Sequence, residues 1–492
     1  MSTAFGRRGY FIAGKEERTH HSREVRAPWD GRLLGTIDLA DAAEAHRATQ
    51  LSVESASIMQ AMPAWQRSQM LHEVASAIER RREQFAATIV AEAGKPLHAA
   101  RGEVERGVLT FRTAAEEALR LDGQVMPLDW TSGNEGRWAM VRRFPRGPVL
   151  AITPFNFPLN LVAHKVAPAL AVGCPVVLKP APQTPFTALL LAEILYEAGA
   201  RHGLPPAALS VLHLEDATTE SLVEQEGALR QVSFTGSAAV GWKLKQKAGK
   251  KTALLELGGN AAVVVCADWP EIEQAAQKAV RAAMGYAGQS CIAVQRVYVA
   301  NSIFHRFLQA AVAEAERLVC GDPEREATEV GPVIRPADAD RIMAWIQEAT
   351  TGGATLLAGG TREGSVIRPT VLTGTKQGMK VLDEEVFGPV MVVERFEGFD
   401  EVLHEVNRSH YGLQAGLLTR DVERIFLAYQ VLQVGGLIVG DMPTWRMDPM
   451  PYGGVKDSGV GREGIRSAIE EMTEPRLLVM APKSAGAASK ID

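Results

Sequence analysis

Residues 148–180 read PVLAITPFNFPLNLVAHKVAPALAVGCPVVLKP, in which two short apolar runs enclose an alanine-rich segment. Short apolar runs bounded by Pro or Gly are typical of buried strands, and the segment between them is typical of a helix. The pattern continues with LSVLHL at 209–214 and QVSFTG at 231–236, and it returns in AAVVVC, RVYVA and PVMVVERF between residues 261 and 396. Strands joined by helical crossovers form parallel sheets, so the sequence predicts an α/β fold with two such units.

The composition is that of a globular protein with several domains. A chain of 492 residues exceeds the size of one ordinary core, and 46 % hydrophobic with 23 % charged residues is typical of folded proteins. The 53 basic and 58 acidic residues are spread along the chain and give a formal net charge of −5. A nucleic-acid-binding protein would concentrate basic residues in a stripe, so we expect no nucleic acid partner.

The cysteines and the N-terminus favour a soluble protein in a reducing compartment. Cys174, Cys266, Cys291 and Cys320 are far apart and lack CxxC spacing, which argues against a disulfide framework or a cysteine zinc site. Residues 1–21 lack the apolar stretch of a secretory signal, and no run approaches the roughly 18 apolar residues that span a bilayer. The sequence therefore predicts a cytoplasmic protein with no metal and no membrane partner.

Helices are predicted at 38–60, with Asp38 or Asp41 as the N-cap, and then at 65–93 and 97–119. After them, QVMPLDWTSGNEGRWAMVRRFPRG places two extended stretches around the turn SGNEG, which predicts a β-hairpin. An isolated hairpin is marginal in water, so we expect this one to pack on something else, such as another subunit.

The segment GYAGQSCIAVQR, residues 285–296, places Cys291 among small and polar residues. A free cysteine is most often a small buried hydrophobe. A thiolate nucleophile needs access, little steric bulk and a backbone able to approach a substrate, and this segment offers all three. Taken alone, the segment supports the two interpretations equally.

Two further polar residues lie in apolar surroundings. Glu256, in LLELGGN at 254–260, is either a general base whose pKa is raised by burial or a carboxylate that caps a helix or binds the adjacent glycine amides. Asn156, in ITPFNFPLN at 152–160, is either a donor to a developing oxyanion or simply a turn residue. Neither residue can be assigned from its own segment.

Two positions at the ends of predicted strands are suited to a ligand. Gly236 and Gly241 flank the start of a predicted helix, where backbone amides can approach an anion, although glycine in such a turn is more often conformational. Lys179 follows the apolar run PVVL at the carboxyl edge, where ligands of open α/β sheets bind, but a lone lysine there is usually a surface charge. Each signal is weak by itself.

Seven motifs together carry a family resemblance. ITPFNFPLN, LKPAPQTP, FTGSAAVG, LELGGN, GQSC, EEVFGPV and PYGGVKDSGVGREG occur in this order between residues 152 and 464. They resemble the motifs of the aldehyde dehydrogenase superfamily in the same order, and the surrounding pattern of elements is similar over nearly the full chain. The resemblance implies an enzyme that oxidises an aldehyde to the carboxylic acid with NAD or NADP.

By motif position, the resemblance implies Cys291 as the nucleophile and Glu256 as the general base. It implies Asn156, with the backbone N–H of Cys291, as the oxyanion hole. The thiolate attacks the aldehyde to give a thiohemiacetal, hydride leaves for the nicotinamide to give a thioester, and water activated by the glutamate releases the acid. An aldehyde cannot readily release hydride by itself, and the covalent adduct removes that obstacle.

The resemblance also implies the cofactor contacts. Lys179 is similar to the lysine that binds the adenosine ribose, and Ser237 lies where a helix start meets the pyrophosphate. Glu385 and Phe387 are similar to the residues at the nicotinamide ribose and ring. The full set that is implied to bind cofactor comprises Ile152, Thr153, Pro154, Phe155, Lys179, Pro182, Gly236, Ser237, Leu257, Gly258, Glu385 and Phe387.

One position departs from the family pattern. Members that use NAD often carry a glutamate three residues after the lysine, where it binds the ribose 2′-hydroxyl, but this chain has Pro182 there. Proline neither binds a hydroxyl nor repels a 2′-phosphate. Lys179 could help to neutralise a phosphate, whereas Glu215 and Asp216 would oppose one if they faced the adenosine. The choice between NAD and NADP therefore stays open.

The loop GDMPTWRMDPMPYGG resembles branches of the family that oxidise small hydroxyaldehydes, such as lactaldehyde or glyceraldehyde, or aldehydes with an anionic group. Arg106 and Arg446 are candidate anion contacts, although a surface salt bridge and an ordinary loop arginine are at least as good interpretations. Phe157, His164 and Trp445 are expected to line the aldehyde tunnel, where Trp445 would favour a short substrate. We interpret His164 as structural, because the implied mechanism needs no histidine.

Two alternatives to this function are considered. Relatives that pass the thioester to coenzyme A commonly lack the glutamate of the LELGG motif, so the presence of Glu256 argues against that reaction. A catalytically silent binding or structural protein on the same scaffold would be supported by loss of Cys291, Glu256 or Asn156, and all three are present.

The implied architecture has a Rossmann-type dinucleotide-binding domain, an α/β catalytic domain and a small β oligomerisation flap. We assign 1–126 and 147–255 to the first, 256–436 to the second, 127–146 and 470–492 to the flap, and 437–469 to a C-terminal loop and helix that return to the cofactor-binding domain. In the family the flap extends a neighbour's sheet, which covers exposed strand edges. We therefore expect a homodimer or homotetramer.

Overall fold

The computed structural model describes residues 5–225 and 227–481, so the last part of the expected flap segment, 482–492, lies outside the described residues. The described helices are α1 Ala42–Ala61, α2 Ala64–Arg80, α3 Arg82–Ala93, α4 Leu97–Glu117, α5 Asn160–Val172, α6 Pro185–Arg201, α7 Asp216–Glu224, α8 Ala238–Lys247, α9 Ile272–Met284, α10 Phe304–Arg317, α11 Pro336–Thr351, α12 Lys380–Asp383, α13 Phe399–Asn407, α14 Val422–Val431 and α15 Ile465–Glu471. The described strands are β1 Gly6–Arg8, β2 Tyr10–Ile12, β3 Lys15–Glu17, β4 Ser22–Arg26, β5 Leu33–Asp38, β6 Gln124–Pro127, β7 Trp138–Pro145, β8 Val149–Ile152, β9 Val176–Lys179, β10 Leu209–Val211, β11 Gln231–Thr235, β12 Thr252–Glu256, β13 Ala261–Val265, β14 Val294–Ala300, β15 Thr355–Ala358, β16 Arg362–Glu363, β17 Val366–Ile367, β18 Thr370–Thr373, β19 Val390–Phe396, β20 Tyr411–Gly412, β21 Gln414–Leu418, β22 Gly436–Val439, β23 Val455–Lys456, β24 Gly459–Val460 and β25 Thr473–Met480.

The first large sheet has eight strands in the order β24-β12-β11-β8-β9-β10-β2-β3. Its strands β8 to β12 pair in parallel, because the helices α5 to α8 carry the chain back between them. The strand order reverses at β8, with β9 and β10 on one side and β11 and β12 on the other. Ligands of open α/β sheets bind at the carboxyl edge near such a reversal. The expected α/β fold is confirmed.

The second large sheet has seven strands in the order β15-β18-β19-β14-β13-β21-β22, and only its β15 edge pairs antiparallel among the described pairs. β12 ends in the first sheet at Glu256, and β13 begins in the second sheet at Ala261. The segment 257–260 therefore crosses from one sheet to the other. β24 pairs with β12, which brings the C-terminal segment next to this crossing.

The polar N-terminal region forms strands that the sequence pattern did not reveal. β2 pairs with β10 and β3 pairs with β2, so the two short strands extend the first large sheet. β1, β5 and β4 form a separate three-stranded sheet. β1, β2 and β3 are only three residues long, which is too short for an alternating pattern to show.

The helix ends follow local chemistry. At the start of α1 the Glu44 N–H donates to Asp41 Oδ1 at 2.9 Å, and the Asp41 N–H donates to Glu44 Oε2 at 2.8 Å, which is a reciprocal capping box. Asp41 is thus the cap, whereas the buried Asp38 accepts from Arg7 Nε at 2.8 Å. The helical region expected at 65–93 is two helices, because the backbone leaves the helical conformation at Arg81.

β6, β7 and β25 form a small antiparallel sheet in the order β25-β7-β6. β25 pairs with β7 along its whole length and leaves a row of large apolar side chains exposed: Leu477, Leu478, Val479 and Met480. We call this three-stranded sheet the flap. Among the described helices, none is long and apolar enough to span a membrane.

Candidate active site

A cavity of about 350 Å³ lies between the carboxyl ends of β8, β11 and β12 and the segment that precedes β14. It brings most of the sequence-derived candidates together: the catalytic candidates Asn156, Glu256 and Cys291, the cofactor candidates Pro154, Phe155, Gly236, Ser237, Leu257, Gly258, Glu385 and Phe387, and the substrate candidates Arg106 and Phe157. These candidates from five of the seven motifs, which are far apart in the chain, thus share one cavity.

Three cofactor candidates form the edge of the first sheet beside this cavity. Ile152 and Lys179 are register partners at the ends of β8 and β9. The Thr153 N–H donates to the Lys179 carbonyl at 3.2 Å. Pro182 lies further along this edge and lines a separate cavity together with Arg23.

Trp445 does not line the central cavity, contrary to our expectation for the aldehyde tunnel. Its side chain is 49 % exposed. The loop instead turns the neighbouring Arg446 inward, where the guanidinium lies 3.7 Å from the Tyr452 ring centroid and donates to Glu463 Oε1 at 2.7 Å. At this inward position Arg446 makes an ion pair and a cation–π contact. The uncharged indole of Trp445 could make neither.

Cys291 follows a turn with strained backbone. Tyr286 and Ala287 both have a φ of 52°, in the left-handed region that non-glycine residues rarely adopt. Cys291 Sγ lies 2.9 Å from Tyr452 Oη, and the side chain packs against Ile292 and Leu413. Desolvation raises the pKa of Cys291 to about 12. The thiol is therefore protonated at neutral pH in this state, and attack requires a group that accepts its proton.

Alkylation of Cys291 by iodoacetamide in the cofactor-free protein should accelerate with pH. The thiolate is the reactive form, and below a pKa of about 12 its fraction rises about tenfold per pH unit. We expect the rate constant to follow this slope from about pH 7 to about pH 10, as measured by mass spectrometry of the Cys291 peptide. A rate that already levels off near neutral pH would contradict the raised pKa.

Asn156 is tied to the loop that carries the thiol. Its Nδ2 donates to the Gln289 carbonyl at 2.9 Å, and Gln289 in turn accepts from the Ile334 N–H at 2.8 Å. An amide nitrogen has two N–H bonds, so the second can meet an oxygen beside Cys291. The contact fixes the distance between a donor and the nucleophile although they lie far apart in sequence.

Glu256 is a buried carboxylate that faces a second one. Its Oε1 accepts from the Glu463 N–H at 3.2 Å, and its Oε2 has no hydrogen-bond partner among the described residues. Burial, followed by the charge of Glu463, raises the pKa of Glu256 well above its ordinary value. The buried Lys165 Nζ lies 3.8 Å from Glu463 Oε2 and donates to Ser233 Oγ at 3.1 Å. A carboxylate of raised pKa that lies beside a lysine is suited to exchange protons.

Glu385 and Phe387 close the cavity on the side of the second sheet. Glu385 Oε1 accepts from the Gly259 N–H at 2.9 Å, and burial raises its pKa to about 7. A Cβ at Gly258 would overlap this carboxylate, so a side chain there would displace it. The Phe387 ring meets the Phe155 ring edge-on, with centroids 6.0 Å apart.

The third wall is a network of charges around Asp448. Asp448 accepts from Arg106 at 3.2 and 2.7 Å, from Asn160 Nδ2 at 3.2 Å and from His164 Nε2 at 2.7 Å. Burial lowers the pKa of His164, so its neutral ring serves as a donor to Asp448. His164 thus holds a charged neighbour rather than the cavity itself, as its structural interpretation predicts.

Several residues of the site were not singled out from the sequence. Tyr452 and Glu463 belong to the motif PYGGVKDSGVGREG, so that motif was the signal that could have found them. Lys165 and Asp448 have no local signal, because their partners are distant in the chain. No group of three or more His, Cys, Asp or Glu side chains within residues 5–225 and 227–481 is placed to hold a metal ion.

Comparison with known proteins identifies relatives over nearly the full length. A family model described as the aldehyde dehydrogenase family matches residues 15–478. The chain is 40 % identical over 472 residues to 3-sulfolactaldehyde dehydrogenase of Priestia aryabhattai, with 96 % of this chain and 98 % of that protein covered.

Solved structures agree with the sequence relatives. Aldehyde dehydrogenase 21 from Physcomitrella patens, in complex with its reaction product succinate, matches with a TM-score of 0.95 and 39 % identity over 98 % of this chain and 99 % of that chain. The NADP-dependent glyceraldehyde-3-phosphate dehydrogenase from Bacillus halodurans, complexed with NADP, matches with a TM-score of 0.93 and 34 % identity over 97 % and 99 % of the two chains.

Proposed function

We propose that this chain, which belongs to the aldehyde dehydrogenase family, oxidises small aldehydes with an anionic or hydroxylated end to the carboxylic acids. The reaction class is that of an NAD(P)-dependent aldehyde dehydrogenase. The observation that carries the proposal is the shared cavity, in which the Cys291 thiol, the Asn156 amide and the Glu256 carboxylate face the same space as Arg106 and Arg446.

The residues at the carboxyl edge of the first sheet fit a dinucleotide. Thr153 Oγ1 and Thr235 Oγ1 are buried without a hydrogen-bond partner among the described residues, and a Cβ at Gly236 would overlap an aromatic ring. The edge thus offers two hydroxyls without partners in the described part of the chain, and a side chain at Gly236 would collide with the Phe234 ring. When bound, the nicotinamide ring would supply the hydride acceptor, and we propose that Glu385 and Phe387, which line the cavity, hold that end of the molecule.

In the proposed acylation, the Cys291 proton passes to water in the cavity while the sulfur attacks the carbonyl carbon. A C–S bond forms, and the carbonyl π electrons move to the oxygen. Asn156 Nδ2, which the Gln289 carbonyl holds at 2.9 Å, offers its second N–H to this oxyanion. Such a donor lowers the barrier by about 3 kcal/mol. Collapse of the oxyanion expels hydride and leaves a thioester on Cys291.

In the proposed deacylation, Glu256 removes a proton from water while the oxygen attacks the thioester carbon. The C–S bond then breaks, the acid leaves and the sulfur keeps the electron pair. Glu256 can act only when it is ionised, and both its burial and Glu463 oppose ionisation. Lys165, whose charge favours ionisation of Glu256, counters these effects. Raising the pH through the pKa of Glu256 therefore favours hydrolysis.

The charges of the cavity wall support an anionic substrate. The charged side chains that line the cavity are three arginines and three glutamates: Arg106, Arg341, Arg446, Glu256, Glu385 and Glu463. The cations therefore outnumber the ionised acids while Glu256 is protonated. The relatives point the same way. Their names give 3-sulfolactaldehyde and glyceraldehyde 3-phosphate as substrates and succinate as a product, and all three carry an anionic group away from the reacting carbon.

The proposal is tested by following reduced cofactor with a panel of aldehydes. Succinic semialdehyde, 3-sulfolactaldehyde and glyceraldehyde 3-phosphate supply anions, lactaldehyde and glycolaldehyde supply hydroxyls, and propanal supplies neither. Each is tested with NAD and with NADP, with and without coenzyme A. We expect turnover without coenzyme A and the highest kcat/KM for an anionic member. Turnover that requires coenzyme A, or none with any member, would contradict the proposal.

Arg106→Gln should weaken the binding of anionic substrates more than that of neutral ones. A lost hydrogen bond between charged groups costs about 1.5–3 kcal/mol, so we expect the KM for an anionic aldehyde to rise by about tenfold to a hundredfold. The KM for propanal should change little. Arg112→Gln is the matched control, since Arg112 lies on the same helix and pairs with Glu79 at the surface. Equal losses for charged and neutral aldehydes would contradict the role.

We further propose a homodimer or a homotetramer built through the flap. β25 exposes Leu477 and Val479, and β22 is the last strand of the second sheet. Strand edges and apolar rows of this kind are usually covered. The mass measured by light scattering should be at least that of a dimer. The double variant Leu477→Asp, Val479→Asp should lower this mass toward that of a monomer. A monomeric unsubstituted protein would contradict the proposal.

We also propose a cytoplasmic location. The four cysteines are all free, and free thiols are usual in a reducing compartment. Fractionation of the native host, with detection of this chain by mass spectrometry, tests the location. Recovery in a secreted fraction would contradict it.

A further inference from the structure

The topology locates the adenosine end of a dinucleotide. In a β-α-β unit that binds NAD, an acidic residue near the end of the second strand accepts a hydrogen bond from the ribose 2′-hydroxyl, or an arginine nearby accommodates a 2′-phosphate. In this chain the unit is β8–α5–β9, and β9 ends at Lys179. The turn that follows, 180–184, reads PAPQT and has no acidic residue. A group that distinguishes the two cofactors must come from a neighbouring segment.

The next strand supplies that segment. β10 pairs in parallel with β9, with Val211 opposite Leu178, so the chain that leaves β10 emerges beside Lys179. This chain enters α7 at Asp216, whose Oδ1 lies 3.9 Å from Lys179 Nζ. The Asp216 side chain is 97 % exposed. Its carboxylate can therefore rotate toward a bound ribose without losing buried contacts.

Arg23, which lines the cavity at Pro182, is paired with a carboxylate. Arg23 Nη2 donates to both carboxylate oxygens of Glu215, at 2.9 and 2.8 Å. His213 is 2 % exposed, and both of its ring nitrogens lack a hydrogen-bond partner among the described residues. Burial lowers the pKa of His213 to about 3, so it adds no positive charge at neutral pH.

We propose that Asp216 determines cofactor preference, by accepting a ribose hydroxyl of NAD and repelling the 2′-phosphate of NADP. This inference rests on the proposed function. A 2′-phosphate carries close to two negative charges and would meet Asp216 and Glu215. The two cations beside these carboxylates are already paired, since Arg23 donates to Glu215 and Lys179 Nζ lies 3.9 Å from Asp216 Oδ1. A ribose hydroxyl meets the same carboxylate as a hydrogen-bond acceptor. The protein is therefore selective for NAD.

Equilibrium binding of the reduced cofactors tests the proposal without any turnover. Tryptophan fluorescence is titrated with NADH and with NADPH at one fixed ionic strength, for the unsubstituted protein, Asp216→Asn and Asp400→Asn. Asp400 is the matched control, because it is an exposed aspartate in the first turn of α13, far from this edge in sequence. We expect NADH to bind at least about tenfold more tightly than NADPH. Asp216→Asn should reduce this ratio by about fivefold or more, mainly through tighter NADPH binding, whereas Asp400→Asn should leave it unchanged.

The outcomes separate this inference from the function on which it rests. Equal or tighter binding of NADPH by the unsubstituted protein, or an unchanged ratio in Asp216→Asn, would overturn the role of Asp216 and leave the dehydrogenase proposal in place. Failure of both cofactors to bind would overturn the two together. Glu215→Gln, which frees Arg23, should lower the ratio further in combination with Asp216→Asn.

Discussion

Cys291→Ala is expected to abolish aldehyde-dependent formation of reduced cofactor, with kcat falling by at least about ten-thousandfold. Alanine keeps the Cβ and removes the sulfur that would form the C–S bond, so no tetrahedral adduct can expel hydride. The Asn156 donor and the Glu256 base would remain in place but would have no covalent intermediate to act on. Reduced cofactor is followed by its absorbance with the best aldehyde of the panel.

Cys320→Ala is the control for this loss. Cys320 is another partly exposed thiol, and its Sγ contacts the Leu318 carbonyl at 3.6 Å rather than the central cavity. We expect Cys320→Ala to keep full activity. Both variants should bind NADH like the unsubstituted protein, which shows that they fold. Residual activity in Cys291→Ala above about one per cent would contradict its role as the nucleophile.

Glu256→Gln is expected to separate the two half-reactions. Glutamine has the same shape and can still accept from the Glu463 N–H, which lies 3.2 Å from Glu256 Oε1, but it cannot accept a proton from water. Acylation should give a rapid burst of about one reduced cofactor per subunit, and the later steady rate should fall by about a hundredfold to ten-thousandfold. Rapid mixing measures both phases, and mass spectrometry of the quenched protein should find an acyl group on Cys291.

The same variant distinguishes the alternatives. If added coenzyme A restored turnover in Glu256→Gln, the stalled species would be the expected thioester. If burst and steady rate fell together, Glu256 would act before hydride transfer, as the acceptor of the Cys291 proton. An unchanged steady rate would contradict any role as a base. In the unsubstituted protein, kcat should rise with pH where deacylation limits, because the raised pKa of Glu256 leaves it protonated at lower pH.

The interior of the fold could be predicted and its margins could not. The runs that became β8, β9 and β13 are buried on both faces, so each reads as a nearly continuous apolar stretch. β1 and β3 lie at the surface with mostly exposed side chains. Polar residues are tolerated in such strands, so no alternation of apolar and polar residues marks them in the sequence. The boundary between α2 and α3 at Arg81 has no Gly or Pro nearby that would have predicted it.

The residues of the site likewise fall into those that the sequence could predict and those that it could not. Cys291, Glu256 and Asn156 could be assigned because each lies in a motif of fixed order, although no single motif sufficed. Asp448 meets His164 across 284 positions of sequence, so only the folded chain can show that contact. Trp445 and Arg446 are adjacent in one loop, and which of the two faces inward depends on partners contributed by other segments.

The turn before the nucleophile stores backbone strain beside the reactive centre. Tyr286 and Ala287 are buried in left-handed backbone, a conformation that costs each about 1–2 kcal/mol and is held only by the packing around it. Phe387, across the cavity, shares this condition with a φ of 48°. On heating, these segments should therefore unfold locally, and activity should be lost at a lower temperature than that at which the two sheets unfold. A ligand that bridges the two walls would delay that inactivation by more than it raises the temperature of global unfolding.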